Sequence, residues 1–169
     1  VSAPYNLDDM AADTVGLLDA LELSAAHLVG MSMGGMISQI VAGRYPDRVL
    51  SLTSIMSTSG ERGKGEASLK VSLKMVQPVS KDKTPLDIAV DIWQMLCGPA
   101  YPMTDSEIRA QVIAEHKRSS NPAGYMRQIS AIRTSPSRVA LLNAIKVPTL
   151  IIQDEVHLIR ESLGTFSSH

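Results

Sequence analysis

The chain has 169 residues, 44% of them hydrophobic, enough to bury one sizeable core in a single domain. A net charge of -1, with basic residues scattered along the chain, argues against a nucleic-acid partner. No apolar run reaches the roughly 20 residues of a membrane span, no basic-then-apolar leader opens the sequence, and a single cysteine, Cys97, precludes an intramolecular disulfide, so a soluble, cytoplasmic protein is expected.

The first expected element is a helix capped by Asn6, with Asp8 and Asp9 in its first turn and an inward stripe of Met10, Val15, Leu17, Leu18 and Leu21, ending near Glu22. Ala25 to Val29 reads as a short buried strand, Met33 to Arg44 as a helix stopped by Tyr45-Pro46, and Val49 to Ile55 as a second strand. That alternation is a βαβ unit, which requires parallel strands and a right-handed crossover. From residue 61 to about 140 the signals are helical. Thr84 with Pro85 starts one helix running to Gly98, Thr104 with Glu107 forms a capping box for another, Asn121-Pro122 starts a third, and Ser137 a last one to Ile145. The Lys- and Gly-containing piece Glu61 to Ser68 reads as a mobile lead-in to this insertion. Lys146 to Ile152, with Pro148 near its start, reads as a buried strand.

Between the first strand and the second helix stands Gly30-Met31-Ser32-Met33-Gly34-Gly35. A strand, a tight turn holding one serine and a helix is the arrangement that exposes a nucleophilic hydroxyl, and glycines two residues to either side are expected to be sterically required. Unpaired amides and the positive dipole end of the following helix face the place where an oxyanion would develop. Ser32 is the candidate nucleophile and the Met33 amide the candidate oxyanion donor. A phosphate-binding loop would end in Gly-Lys-Ser/Thr, and no lysine follows Gly34-Gly35. A dinucleotide-binding turn would need glycine where Ser32 stands. A tight helix start holding a serine by chance is the remaining structural reading.

The segments Tyr5 to Asp13, Leu17 to Leu21, His27 to Gly35 and Tyr45-Pro46-Asp47-Arg48-Val49 resemble the α/β-hydrolase family, and within it the serine-esterase, aclacinomycin-methylesterase-like branch. Pro122-Ala123-Gly124 and Ile145 to Ile152 extend the resemblance over most of residues 5 to 152. It implies an α/β fold: a partial α/β-hydrolase with a short parallel sheet flanked by helices, whose core comprises residues 1–60 and 141–169 and whose helical cap, or lid, comprises 61–140. It also implies further strands and a His-Gly loop before Val1, and more chain after the last strand, so truncation at both ends is expected.

In this fold nucleophile, acid and base follow in the order Ser, Asp/Glu, His. Asp154, just past the last strand, is the acid by position, with Glu155 second; solvation of a strand end is the plain alternative for both. His169 is the only histidine far enough downstream to serve as base, and it lies at a terminus. His157 stands too near Asp154 for the usual geometry, His27 reads as a packed core histidine, and His116 as solvent-facing on a charged helix end. Scattered histidines and a partnerless cysteine offer no metal site, and no cofactor is expected. Met31, Met33 and Met36 surround the turn and suit either an apolar acyl group or core filling.

Two functions follow. One is hydrolysis of a small carboxylic ester through an acyl-enzyme on Ser32, with haloperoxidase or carbon-carbon bond hydrolysis as variants on the same serine. The other is a catalytically silent fragment stabilised by self-association or a complementary partner, since a three-strand sheet leaves an exposed edge.

Overall fold

A computed structural model describes residues 4–63, 83–97, 102–119 and 121–153. The described residues fall into two compact units, 4–63 with 123–153, and 83–97 with 102–119 and 121–122.

In the first unit, α1 (Leu7–Ala20) leads to β1 (Ala26–Met31), α2 (Met33–Arg44), a 3-10 turn (Pro46–Arg48) and β2 (Val49–Ile55). Asn6 begins α1 as expected: its side-chain oxygen accepts from the amides of Asp8 and Asp9 at 2.7 and 3.1 Å, and its own amide donates to Asp9 at 2.8 Å. The buried stripe differs from the expected one. It is Leu7, Ala11, Val15 and Leu18, whereas Leu17 and Leu21 are exposed. The i, i+4, i+8, i+11 spacing holds one face of the helix, Leu17 lies beside that face, and Leu21 is the C-cap, past the last helical residue. The chain leaves α1 through Glu22 at φ 55°, with Leu23 N–H donating to the Leu18 carbonyl at 2.9 Å and Glu22 N–H to Asp19 at 3.0 Å, a Schellman closure made without glycine. Arg48 then ties this corner to β2, donating to the carbonyls of Ser24 and Leu23 and pairing with Asp19 at 2.7 Å.

The sheet is parallel throughout, in the order β1-β2-β3, with β3 at Thr149–Ile152. The core fills one side of it. Leu7, Ala11 and Val15 of α1, Met36, Ile40, Val41 and Ala42 of α2, and Val49 and Leu52 of β2 form one buried cluster. Full burial of Leu7 or Leu52 contributes about 1.5–3 kcal/mol each. Gly43 permits close packing on this side, because a Cβ there would lie 2.4 Å from Leu141 of the four-residue helix Val139–Leu142. The helix α5 (Pro122–Thr134) adds Ile132, which packs on the cluster.

Among the described residues, no element covers the other sheet face. Register places His27, Val29 and Met31 beside Ser51, Thr53 and Ile55, with Leu150 and Ile152 continuing the row. Val29 is 69% exposed, Met31 56%, Leu150 55% and Ile152 43%. The first and last strands are therefore not buried on both faces as expected, and His27 is not a packed core residue. It is exposed, with Nδ1 2.7 Å from the Ser51 hydroxyl.

In the second unit, α3 (Pro85–Leu96) and α4 (Asp105–Arg118) pack through Val90, Ile108 and Val112, flanked by partly buried Trp93 and Cys97. Thr84 and Thr104 cap them in full capping boxes with Asp87 and Glu107. His116 is exposed near the α4 terminus, as the charged sequence around it implies. Bonds from the Thr84 hydroxyl and amide hold the Asp87 carboxyl below the usual carboxylate range, and Thr104 does the same for Glu107. A carboxylate whose folded pKa is depressed contributes stability above its unfolded pKa, and that contribution is lost as pH falls through the folded value. On acidification from about pH 5 to pH 3 the Tm advantage of the parent over an Asp87→Asn, Glu107→Gln variant is therefore expected to shrink towards zero, as read by circular dichroism melts. Among the described residues, no helix is long and apolar enough to cross a membrane.

Candidate active site

Parallel strands bring their carboxyl ends to one edge of the sheet, where open α/β sheets carry their sites. Ser32 follows β1, Met56 follows β2 and Gln153 follows β3, on neighbouring register positions Met31, Ile55 and Ile152. The ladder runs right to this edge: Ser32 N–H donates to the Ile55 carbonyl at 2.9 Å and Met56 N–H to Ile152 at 2.8 Å.

Ser32 has φ 52° and ψ -119°, a region that L-residues rarely occupy and that costs about 1–3 kcal/mol. The strain buys a geometry: the residue is exposed, and among the described residues its hydroxyl caps nothing. The first intrahelical bond of α2 runs from Met36 N–H to the Ser32 carbonyl at 3.2 Å, so the amides of Met33, Gly34 and Gly35 precede the ladder and face outward from the helix start.

The glycine requirement is only partly the expected one. A Cβ on Gly30 would stand 2.2 Å from the Gly34 carbonyl oxygen and 2.7 Å from the Gly35 nitrogen, backbone atoms that cannot swing aside. A Cβ on Gly35 would meet Ser57 Cβ at 2.7 Å and Ser57 Oγ at 2.8 Å. Gly34, expected to be sterically required, has nothing within 4 Å of that position. Its side-chain direction points away from the strand, so the turn is closed by Gly30 and Gly35.

Residues that sequence reasoning did not single out support the turn. Ser57 Oγ donates to the Ser32 carbonyl at 2.9 Å. Gln39 Nε2 donates to Ser54 Oγ at 3.2 Å, and its Oε1 accepts from Arg138 Nε at 3.2 Å. Arg138 is 5% exposed, and burial lowers its pKa from the usual guanidinium value while the charge of Asp8 opposes that shift. Ser57-Thr58-Ser59-Gly60 reads as an anonymous polar loop, and no local signal links it to a residue about eighty positions away.

Met33 is partly buried and packs on the core, Met36 is buried in it, and Met31 lies on the open sheet face. Asp154, Glu155, His157 and His169 lie outside the described residues. A cavity of about 100 Å³ lined by Asp8, Arg44, Arg138 and Leu141 lies within the first unit and does not include Ser32. It is small against the roughly 300–1,000 Å³ of ligand pockets.

A strained serine at the carboxyl edge of a parallel sheet, with a helix N-terminus behind it, marks an α/β protein with a strand–turn–helix site. The chain has the α/β-hydrolase fold, and the model of that fold family matches its residues 2–81. It is 29% identical over 174 aligned positions to the rhodomycin D methylesterase DnrP of Streptomyces peucetius, covering 89% of this chain and 57% of that protein. Among solved structures, a putative aryl esterase from Burkholderia cenocepacia superposes with a TM-score of 0.68 at 18% identity, covering 93% of this chain and 56% of that one. A meta-cleavage product hydrolase from Pseudomonas fluorescens gives 0.67 at 20% identity, covering 94% and 57%. The chain thus spans little more than half the length of these relatives.

Proposed function

We propose that this chain carries the nucleophile of a hydrolase acting on carboxylic esters, with Ser32 as the residue acylated. The observation that carries the reading is the strained, exposed Ser32 set before the outward amides of α2. Similarity to a methylesterase supports an ester as substrate. In this mechanism a histidine accepts the Ser32 hydroxyl proton as Oγ attacks the ester carbonyl carbon. The Met33 amide holds the tetrahedral oxyanion, the alcohol leaves with the proton returned by the histidine, and water then releases the acid from the acyl-serine. His169 serves as that base, and Asp154, with Glu155 as the second choice, as the carboxylate that orients it. No metal or organic cofactor takes part. The test is turnover of short-chain p-nitrophenyl esters by the parent and by Ser32→Ala.

A second reading is favoured by the apolar sheet face that no described element covers: a chain that self-associates through β1 and β3 rather than catalysing. It expects a dimer by sedimentation that Val29→Lys disperses, and a monomeric parent contradicts it.

A further inference from the structure

The Ser32 carbonyl and the Met33 amide are the two ends of one peptide group. Whatever grips the carbonyl therefore aims the amide. Two donors converge on that oxygen, the Met36 amide at 3.2 Å and the Ser57 hydroxyl at 2.9 Å. The first is an ordinary helical bond. The second comes from the loop after β2, 25 residues further along the chain, and has no part in any helix or sheet ladder.

That loop is itself held by a buried cation. Arg138 Nη2 donates to the Thr58 carbonyl at 2.7 Å and the Arg138 backbone amide to the Ser59 carbonyl at 2.8 Å, while Nε reaches back to Gln39 of α2. Gly60 comes close enough that a Cβ would lie 3.3 Å from Nη1, and its φ of +74° suits only glycine at no cost. None of the ion pairs among the described residues engages Arg138: the oxygens its guanidinium meets at hydrogen-bond distance, Gln39 Oε1 and the Thr58 carbonyl, are neutral, and Asp8 acts on it through its charge without a direct pair. Such burial is costly, and an apolar side chain would fill the space at less expense. What an apolar side chain would lack is the set of donors that fixes residues 57–60 against α2.

We propose that Ser57, held in place by Arg138, is a positioning residue for the oxyanion donor: its hydroxyl fixes and polarises the Ser32–Met33 peptide so that the Met33 amide points at the developing charge. The inference rests on the reading of Ser32 as nucleophile. A hydrogen bond accepted by a peptide oxygen strengthens donation by the amide of the same group. Ser57 touches no substrate, and its effect belongs to the transition state.

The experiment compares parent, Ser57→Ala, Ser57→Thr and Arg138→Lys in two readouts. In the first, proton–nitrogen NMR spectra are recorded on the ligand-free chain. Loss of the bond to the Ser32 carbonyl is expected to move the Met33 amide nitrogen upfield in Ser57→Ala, with Thr restoring it and Arg138→Lys reproducing part of the shift. In the second, p-nitrophenyl acetate turnover is expected to fall roughly tenfold in kcat for Ser57→Ala at unchanged KM, a fraction of the 10²–10³ lost when a whole oxyanion donor is removed. Ser57→Ala combined with Arg138→Lys should be no slower than the slower single variant, because both act through one bond. An unmoved Met33 resonance, or a parental kcat in Ser57→Ala, overturns the proposal while leaving Ser32 in place as nucleophile. A parent without Ser32-dependent turnover overturns the hydrolase reading and the positioning role with it.

Discussion

Gly30→Ala is expected to abolish the cooperative fold of the first unit, or to lower its stability by about 3 kcal/mol or more, the upper end of the overpacking range. The added methyl would sit 2.2 Å from the Gly34 carbonyl oxygen, and its neighbours are peptide atoms rather than a side-chain tip. Relief requires moving the start of α2 away from β1. That helix carries Met36, Ile40, Val41 and Ala42 into the core, so the displacement would spread through the cluster. Against a total stability of about 5–15 kcal/mol such a loss is large. Gly34→Ala is the control. Its methyl meets open space in the first turn of α2, where the backbone has no positive φ and alanine loses less conformational entropy on folding than glycine, so its Tm should match or exceed the parent's. Thermal melts of the two variants decide the matter, and equal destabilisation by both would contradict the geometry described.

Substitution of Ser32 is expected to separate stability from activity. At φ 52° and ψ -119° a serine carries strain that glycine does not, so Ser32→Gly should raise the unfolding free energy by about 1 kcal/mol or more, within the range for strained backbone. Ser32→Ala keeps the strain and removes only the hydroxyl. Its stability should stay near the parent's, because that hydroxyl caps nothing among the described residues. Both variants should lose ester turnover by about 10⁴-fold or more, as removal of a serine nucleophile does elsewhere. A strained residue whose removal stabilises the chain and silences it is retained for function.

The parts of the fold readable in the sequence are those coded locally. Asn6, Thr84 and Thr104 each signal a helix start through a side chain that bonds an amide two or three residues on, and all three caps are made. The serine turn is likewise a contiguous pattern. Burial is less legible, because Ala-His-Leu-Val-Gly-Met suits a strand covered on two faces or on one, and Leu17 and Leu21 look like core until the width of the buried face and the end of α1 are fixed. The role of glycine was misassigned at one position for a similar reason. Spacing shows that glycines flank the serine, but only coordinates show that Gly35, not Gly34, meets Ser57. Arg138 was illegible altogether, since it acts on residues 57–60 and on Gln39 across the chain.

The most direct test of Ser32 as nucleophile is reaction of the purified chain with a fluorophosphonate, followed by peptide mass mapping. A single adduct on the peptide containing Ser32, absent from Ser32→Ala, is the predicted result. An unlabelled parent, or an adduct that persists in Ser32→Ala, would contradict the assignment.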